Sequence, residues 1–397
     1  MFAELDEPPL DPILGLAQLL AGDTSPDKVD LGIGIYHDDQ GRAPVLDCVK
    51  AAERWLLETQ PSKRYLSSSG NADYNAATRA LLFGDGSDGF ARSRTIQAPG
   101  GTGALRLASD LLRRLSPGGR IFIPGPTWPN HPAIFKATGH ELVVYPYYDI
   151  ETGKVRFDEM MATLGAMGAK DTLLLHGCCH NPTGADLDAA QWSAIADLVS
   201  KTGAAVMVDL AYLGLGDGLS EDAAGIRLLA ERLPEFIVAT SCSKNFALYR
   251  ERVGALTVVG ASETNAVRAH AHALPVARTL WSMPPDHGAA IVAHVLGDAE
   301  LRRGWERELA TMRDRINTMR NRLSARLAGH GDRDYGFIAR QRGMFTMLGI
   351  SPEGVETLRR EHHVHLTSSG RVNVAGLNEG NVDRVADAIA AVGNAGR

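Results

Sequence analysis

The chain is poor in cysteine: four in 397 residues. Cys48, Cys178, Cys179 and Cys242 never fall in a C-x-x-C arrangement, so neither a disulfide-built scaffold nor the common zinc spacings are available. Reduced, buried thiols are expected. No apolar run approaches the ~18 residues of a membrane span, and the start, Met1-Phe2-Ala3-Glu4-Leu5-Asp6, lacks the basic head and apolar core of a secretion signal. A net charge of −6 without long single-sign runs leaves no footprint for nucleic acid. These absences predict a cytoplasmic protein with no membrane and no nucleic-acid partner. His362, His363 and His365 crowd together, yet no Cys or carboxylate stands beside them at ligand spacing, so no metal site is expected. A G-x-G-x-x-G turn followed by an acidic strand end is also missing, which argues against a nicotinamide oxidoreductase.

What is present is an ordinary globular composition, 44% hydrophobic and 22% charged, with 42 glycines. Single cores stop growing near ~250–300 residues, so two domains are expected. From about 95 to 260, short apolar runs alternate with helical patterns, the signature of βαβ units and a mainly parallel sheet. Candidate strands are Arg120–Pro124, Leu142–Pro146, Thr172–Gly177, Ala205–Leu210, Phe236–Ser241 and Gly254–Val259. Thr102–Leu115 and Asp188–Thr202 read as helices between them. Ligand chemistry belongs at the carboxyl ends of such strands. Further on, Leu301, Trp305, Leu309, Met312, Ile316, Met319, Leu323 and Leu327 recur every three or four residues, which predicts one long amphipathic helix. Short strands and a last helix near Val382–Val392 come after it.

Four strand-end stretches carry chemistry. Pro99-Gly100-Gly101-Thr102-Gly103 opens a helix, so it offers free backbone N–H groups and a positive dipole end to an anion; alone it equally spells a plain strand-to-helix turn. His176-Gly177-Cys178-Cys179-His180-Asn181-Pro182-Thr183-Gly184 is a turn after an apolar strand. Val206-Met207-Val208-Asp209-Leu210-Ala211-Tyr212 leaves a carboxylate at the end of a buried strand, where it needs a cationic or protonated partner. Ser241-Cys242-Ser243-Lys244, with Arg252 beyond it, puts an amine next to hydroxyls and a guanidinium suited to phosphate. An amine beside a phosphate cage can form an imine with a phosphorylated aldehyde, and Asp209 then suits a pyridinium nitrogen. The four together point to pyridoxal phosphate.

The order and separation of these pieces resemble the aspartate and aromatic amino-acid aminotransferases of the pyridoxal-phosphate fold type I group. The resemblance runs from Asp11-Pro12-Ile13-Leu14 to Ser369-Gly370-Arg371-Val372-Asn373-Val374-Ala375-Gly376, and is carried by Pro126-Thr127-Trp128-Pro129-Asn130-His131, Cys179-His180-Asn181-Pro182-Thr183-Gly184 and Ser243-Lys244-Asn245-Phe246. It implies an α/β fold: a large domain at 45–311 with a mainly parallel seven-stranded sheet flanked by helices, a smaller α+β domain at 13–44 and 312–397 joined by the long helix, and an N-terminal arm at 1–12. It also implies a homodimer with shared active sites. By the resemblance, Lys244 carries the cofactor as a Schiff base and shuttles a proton between the substrate α-carbon and the cofactor's C4′, Asp209 holds the protonated pyridine nitrogen, and Tyr212 and Asn181 bond the phenolic oxygen. Trp128 stacks on the ring. Gly101, Thr102, Ser241 and Arg252, with Ser243 less directly, hold the phosphate, joined by Tyr65 from the neighbouring subunit. Arg371 grips the α-carboxylate bidentately, and Asn181 and Trp128 border the substrate. Gly34 lies in a segment that closes over it, and His131 and His176 stand behind the cofactor.

The implied reaction is ping-pong transamination between an amino acid and a 2-oxo acid. Arg278 matches the arginine that binds a distal carboxylate from the other subunit, so a dicarboxylate such as 2-oxoglutarate is one substrate. The chain departs from the aspartate-specific pattern at Ala43, Leu210, Trp281 and Met283, and Ser67-Ser68-Ser69-Gly70 replaces a different loop beside Tyr65; more apolar surface near the side-chain pocket favours burying an aromatic ring, while His37 and Arg64 count against it. Broad specificity for aromatic amino acids, with aspartate also accepted, is the expectation. The alternatives are an aspartate-specific aminotransferase, a pyridoxal-phosphate decarboxylase or lyase, and a ligand-sensing regulator, which would need a DNA-binding extension.

Overall fold

Aliphatic runs bounded by turns become the central sheet. The computed structural model describes all residues except 1, 3–4, 7–11, 331–332 and 396–397, so most of the expected arm at 1–12 lies outside the described residues. Seven strands, β1 (Ser93–Pro99), β2 (Ile121–Gly125), β3 (Leu142–Pro146), β4 (Thr172–His176), β5 (Ala205–Leu210), β6 (Phe236–Ser241) and β7 (Val253–Val259), lie in the order β1-β7-β6-β5-β4-β2-β3. β7 is antiparallel to both of its neighbours, and every other pair is parallel. Residues along β4 to β7 are buried on both faces, which is why they read as unbroken apolar runs.

All six strands expected from the sequence occur within a residue of their expected ends. β1 escapes the pattern. Its Ser93, Thr95 and Gln97 are polar yet buried, so no apolar run marks it. They are satisfied instead by hydrogen bonds: Thr95 Oγ1 lies 2.8 Å from Thr257 Oγ1 across the β1–β7 pair, and Gln97 Nε2 donates to the Pro285 carbonyl at 2.7 Å.

Helices cover the sheet. Gly100–Leu115 packs on β6 and β7. Ala189–Thr202 opens on a capping box, in which the Asp188 side chain accepts from Gln191 N and the Gln191 side chain from Asp188 N. The long helix spans Ala299–Leu327 and buries its expected stripe from Trp305 to Leu327. It packs against helices Asp47–Thr59 and His287–Gly297 and also against Val382–Ala395, so one rod links sheet-side helices to the C-terminal region. Trp305 Nε1 donates to the Asn245 carbonyl at 2.8 Å, and its ring stacks on Phe246. The rod therefore buttresses the turn that carries Lys244. Three short ladders complete the fold: Val29–Asp30 pairs in parallel with Val364–His365, Phe345–Met347 pairs antiparallel with Arg371–Asn373, and Tyr148–Asp149 pairs antiparallel with Lys154–Val155. Among the described residues no helix is long and apolar enough to cross a membrane, and all four cysteines are free and buried.

Candidate active site

Because β1 and β6 both oppose β7, the six strands β1 to β6 run in one direction and their carboxyl ends share an edge. The reversed β7 starts at that edge. Loops there deliver Gly101 and Thr102 after β1, Trp128 after β2, Asn181 after β4, Asp209 and Tyr212 from the end of β5, Ser241, Ser243 and Lys244 from the end of β6, and Arg252 just before β7. These residues, with His176, line one cavity of about 170 Å³. A larger groove of about 810 Å³ between helices Asp47–Thr59, Ala72–Phe83 and His287–Gly297 contains no lysine, so the reactive chemistry lies in the smaller cavity.

At one end sits Asp209, buried. Its Oδ2 is 3.0 Å from His131 Nε2, His131 Nδ1 is 2.7 Å from Thr127 Oγ1, and Thr127 Oγ1 is 3.2 Å from His176 Nε2. A carboxylate only accepts, so His131 donates from Nε2, and the Thr127 hydroxyl bridges His131 Nδ1 and His176 Nε2. Burial, reinforced by the neighbouring His131, lowers the His176 pKa to about 3, so that ring stays neutral. The other Asp209 oxygen has no partner among the described residues, leaving an acceptor for a protonated ring nitrogen.

At the opposite end, helix Gly100–Leu115 begins beside Ser241, Ser243 and Arg252. Ser241 Oγ donates to Ser243 Oγ at 2.9 Å, and Arg252 Nη1 reaches Ser243 Oγ at 3.5 Å and the Tyr249 carbonyl at 3.1 Å. Gly100 has φ +70°, and a Cβ there would strike the Arg252 guanidinium; only glycine permits this approach. The result is an anion cradle of backbone N–H groups, hydroxyls and one guanidinium.

Between the two ends lies Lys244. Its Nζ donates to the Gly34 carbonyl at 2.5 Å and rests 4.8 Å from the Tyr249 ring centroid. Burial, then the positive charges of Arg371 and Arg252, lowers its pKa to about 8, so about a tenth is free amine at pH 7, far more than in an exposed lysine. Three residues on, Ala247 occupies the left-handed region at φ 52°. Ala247→Gly is expected to raise stability by about 0.5–1 kcal/mol by removing that strain, measured as a higher urea midpoint at unchanged m.

Arg371 is buried. Its Nη1 donates to Asn181 Oδ1 at 3.1 Å, its Nη2 to the Gly32 carbonyl at 2.5 Å, and its guanidinium lies 4.2 Å from the Phe345 ring centroid. Nε is buried with no partner. A buried guanidinium that meets only neutral acceptors suits an incoming carboxylate. Asn181 Nδ2 also approaches the Tyr212 hydroxyl at 3.4 Å, and burial pushes the Tyr212 pKa up, so that phenol stays protonated. The donor set fits pyridoxal phosphate: a carboxylate for its ring nitrogen, a cradle for its phosphate, and a free amine for its aldehyde.

Not every expected residue reaches the cavity within one chain. Tyr65 is 92% exposed, and Arg278 and Arg64 are exposed. Leu210 corrects the expectation of a more apolar side-chain pocket: it points into the hydrophobic core, opposite its strand neighbour Asp209, as the two-residue period requires. Ala43 is exposed, Trp281 packs on a core cluster, and Met283 Sδ accepts from Leu66 N–H at 3.2 Å; none of them lines the cavity. His37 is half-buried. Sequence reasoning misses Thr127, which joins the two histidines, and Tyr249, whose hydroxyl accepts from Tyr36 N at 2.9 Å. Thr127 lies inside the Pro126–His131 motif, but only the fold reveals its bridging. Cys178, Cys179 and Asp222 also cluster in the interior. The Asp222 carboxylate is spent on the N–H groups of Gly214, Gly216 and Asp217, and the Cys178 and Cys179 thiols are held protonated.

A family model described as aminotransferase class I and II matches residues 26–389. The chain is 45% identical over 395 residues to an aspartate aminotransferase of Salmonella typhi, covering 99% of this chain and 100% of that one. It is 44% identical to an aromatic-amino-acid aminotransferase of Pseudomonas aeruginosa, covering 98% of each. Among solved structures, an aromatic-amino-acid aminotransferase from Burkholderia pseudomallei covalently bound to pyridoxal phosphate superposes with a TM-score of 0.95 at 45% identity, over 99% of both chains.

Proposed function

Since the chain belongs to the class I and II aminotransferases, we propose that it uses pyridoxal phosphate to exchange amino groups between aromatic L-amino acids, aspartate also being accepted, and 2-oxoglutarate. The observation that carries this is the meeting of Lys244, Asp209 and the glycine turn in one cavity. When bound, pyridoxal phosphate supplies an aldehyde that takes up the amino group and a ring that spreads the electron pair left as the α-proton departs.

The chain's own groups do the rest. Lys244 Nζ, with its pKa near 8, accepts and returns a proton at the substrate α-carbon. Asp209, oriented by His131, favours a protonated ring nitrogen. Tyr212 and Asn181 donate toward the phenolic oxygen, Trp128 covers the ring, and Gly101, Thr102, Ser241, Ser243 and Arg252 fix the phosphate. Arg371 binds the α-carboxylate common to all substrates. Gly34 belongs to a segment whose closure excludes water.

A homodimer is part of this reading. Tyr65 and Arg278, too exposed to serve their own cavity, would complete a partner's site, and the Met283–Leu66 contact holds the Tyr65 loop near the end of the Arg278 helix. The division into a large domain at 45–311 and a small one at 13–44 and 312–397 is supported by the ladder joining Val29–Asp30 to Val364–His365. Free, buried thiols suit the reducing cytoplasm.

The test is single-turnover loss of the lysine-linked cofactor absorption on mixing with phenylalanine or with aspartate. Conversion by both is expected. Arg278→Ala should then lower kcat/KM for aspartate roughly a hundredfold while changing phenylalanine little. Conversion of the wild type by aspartate alone would replace the broad reading with an aspartate-specific one.

A further inference from the structure

Outside the cavity, Asp23 gathers two histidines from the far end of the chain. Its Oδ2 lies 2.7 Å from His365 Nε2 and 3.0 Å from His363 Nδ1, and its Oδ1 accepts from Ser25 N–H at 2.9 Å. The carbonyls of the same two histidines accept the N–H groups of Val29 and Leu31, each at 2.9 Å. Residues 23–31 are thus fastened at both ends to 363 and 365. The ladder between them has only two pairs, Val29↔Val364 and Asp30↔His365, too few to fix its own register. His363 holds a left-handed backbone at φ 56°, where glycine would be unstrained, and its ring is spent on Asp23.

Neighbouring charges are otherwise engaged. Lys28 Nζ bonds the Leu20 and Asp23 carbonyls, Arg384 the His362 and Asp27 carbonyls, Arg359 pairs with Glu356, and Asp30 accepts from Gly32 and Ile33 N–H. Among the described residues the histidines are the side-chain partners of Asp23.

The residues just beyond Leu31 touch the active site. The Gly32 carbonyl meets Arg371 and the Gly34 carbonyl meets Lys244, while Asn373 Nδ2 holds the Ile33 and Ile35 carbonyls at 2.7 and 2.9 Å. We propose that Asp23, His363 and His365 are positioning residues: their clamp sets the register of 29–31 and thereby where the Gly32–Gly34 segment meets Arg371 and Lys244. The proposal rests on the aminotransferase reading of that site.

The experiment compares the wild-type holoenzyme with Asp23→Asn, His363→Gly and His363→Asn. His363→Gly removes the imidazole and leaves a residue suited to the left-handed backbone. His363→Asn tolerates that backbone and keeps a side chain able to donate to Asp23. KM for aspartate, phenylalanine and 2-oxoglutarate is measured with kcat, together with the thermal midpoint and the Kd of succinate, a carboxylate that cannot react. For Asp23→Asn and His363→Gly, all KM values and the succinate Kd should rise together roughly three- to tenfold, with kcat within about twofold and the fold intact. His363→Asn should recover most of the loss. Unchanged KM and Kd in both disrupted variants, or a lowered midpoint without any change in KM or Kd, would overturn the clamp. Wild-type protein that binds succinate but transfers no amino group would instead overturn the reading on which it rests.

Discussion

Lys244→Ala is expected to lower kcat by about 10⁴-fold or more and to abolish the absorption of the lysine-linked cofactor. The size comes from the lack of a substitute. Tyr212, its pKa raised by burial, gives up no proton near neutrality, and His176, at about 3, takes none up and bonds the Thr127 hydroxyl. The guanidinium groups of Arg252 and Arg371 only donate hydrogen bonds. The nearest other polar contact of the Lys244 amine is the Gly34 carbonyl, which can orient but not titrate. Rapid quenching of 2-oxo-acid formation over a single turnover measures the effect. A variant within tenfold of wild type, still showing the chromophore, would remove Lys244 from the chemistry.

Arg371→Lys is expected to cost every substrate alike, with kcat/KM falling by about 10²–10³-fold. Lysine cannot span Asn181 Oδ1 and the Gly32 carbonyl while presenting a second N–H to a carboxylate, and it forfeits the stacking on Phe345. The breadth of the loss is diagnostic: Arg278→Ala should select against dicarboxylates, whereas Arg371→Lys should lower aspartate, phenylalanine and 2-oxoglutarate together. Steady-state kinetics with all three decide between a shared α-carboxylate site and any other role.

How much can be read from the sequence depends on whether a residue's purpose is local. β5 and β6 declare themselves because burial on both faces demands apolar residues throughout, and Asp209 and Lys244 stand out as charges at the ends of those runs. β1 does not, because Ser93, Thr95 and Gln97 are buried polar groups: Ser93 bonds the nearby Phe90 carbonyl, while the partners of Thr95 and Gln97, Thr257 and Pro285, lie far away in the chain. Resemblance puts Leu210 in the pocket, yet strand alternation turns it into the core. His363 and His365 read as a cluster without a carboxylate; the carboxylate, Asp23, lies 340 residues from His363. Tyr65 and Arg278 can be found only through resemblance, since neither approaches the cavity of its own chain.

The reversal of β7 has a consequence for engineering. It brings the strand that ends at Ser241 and the strand that begins at Val253 to the same edge, so one short connection carries both Lys244 and Arg252. Lengthening that connection would separate reactive amine from anion cradle in a single step. Insertions at the opposite edge, such as the exposed Pro117-Gly118 turn before β2, touch neither and make the safer sites for tags or grafted loops.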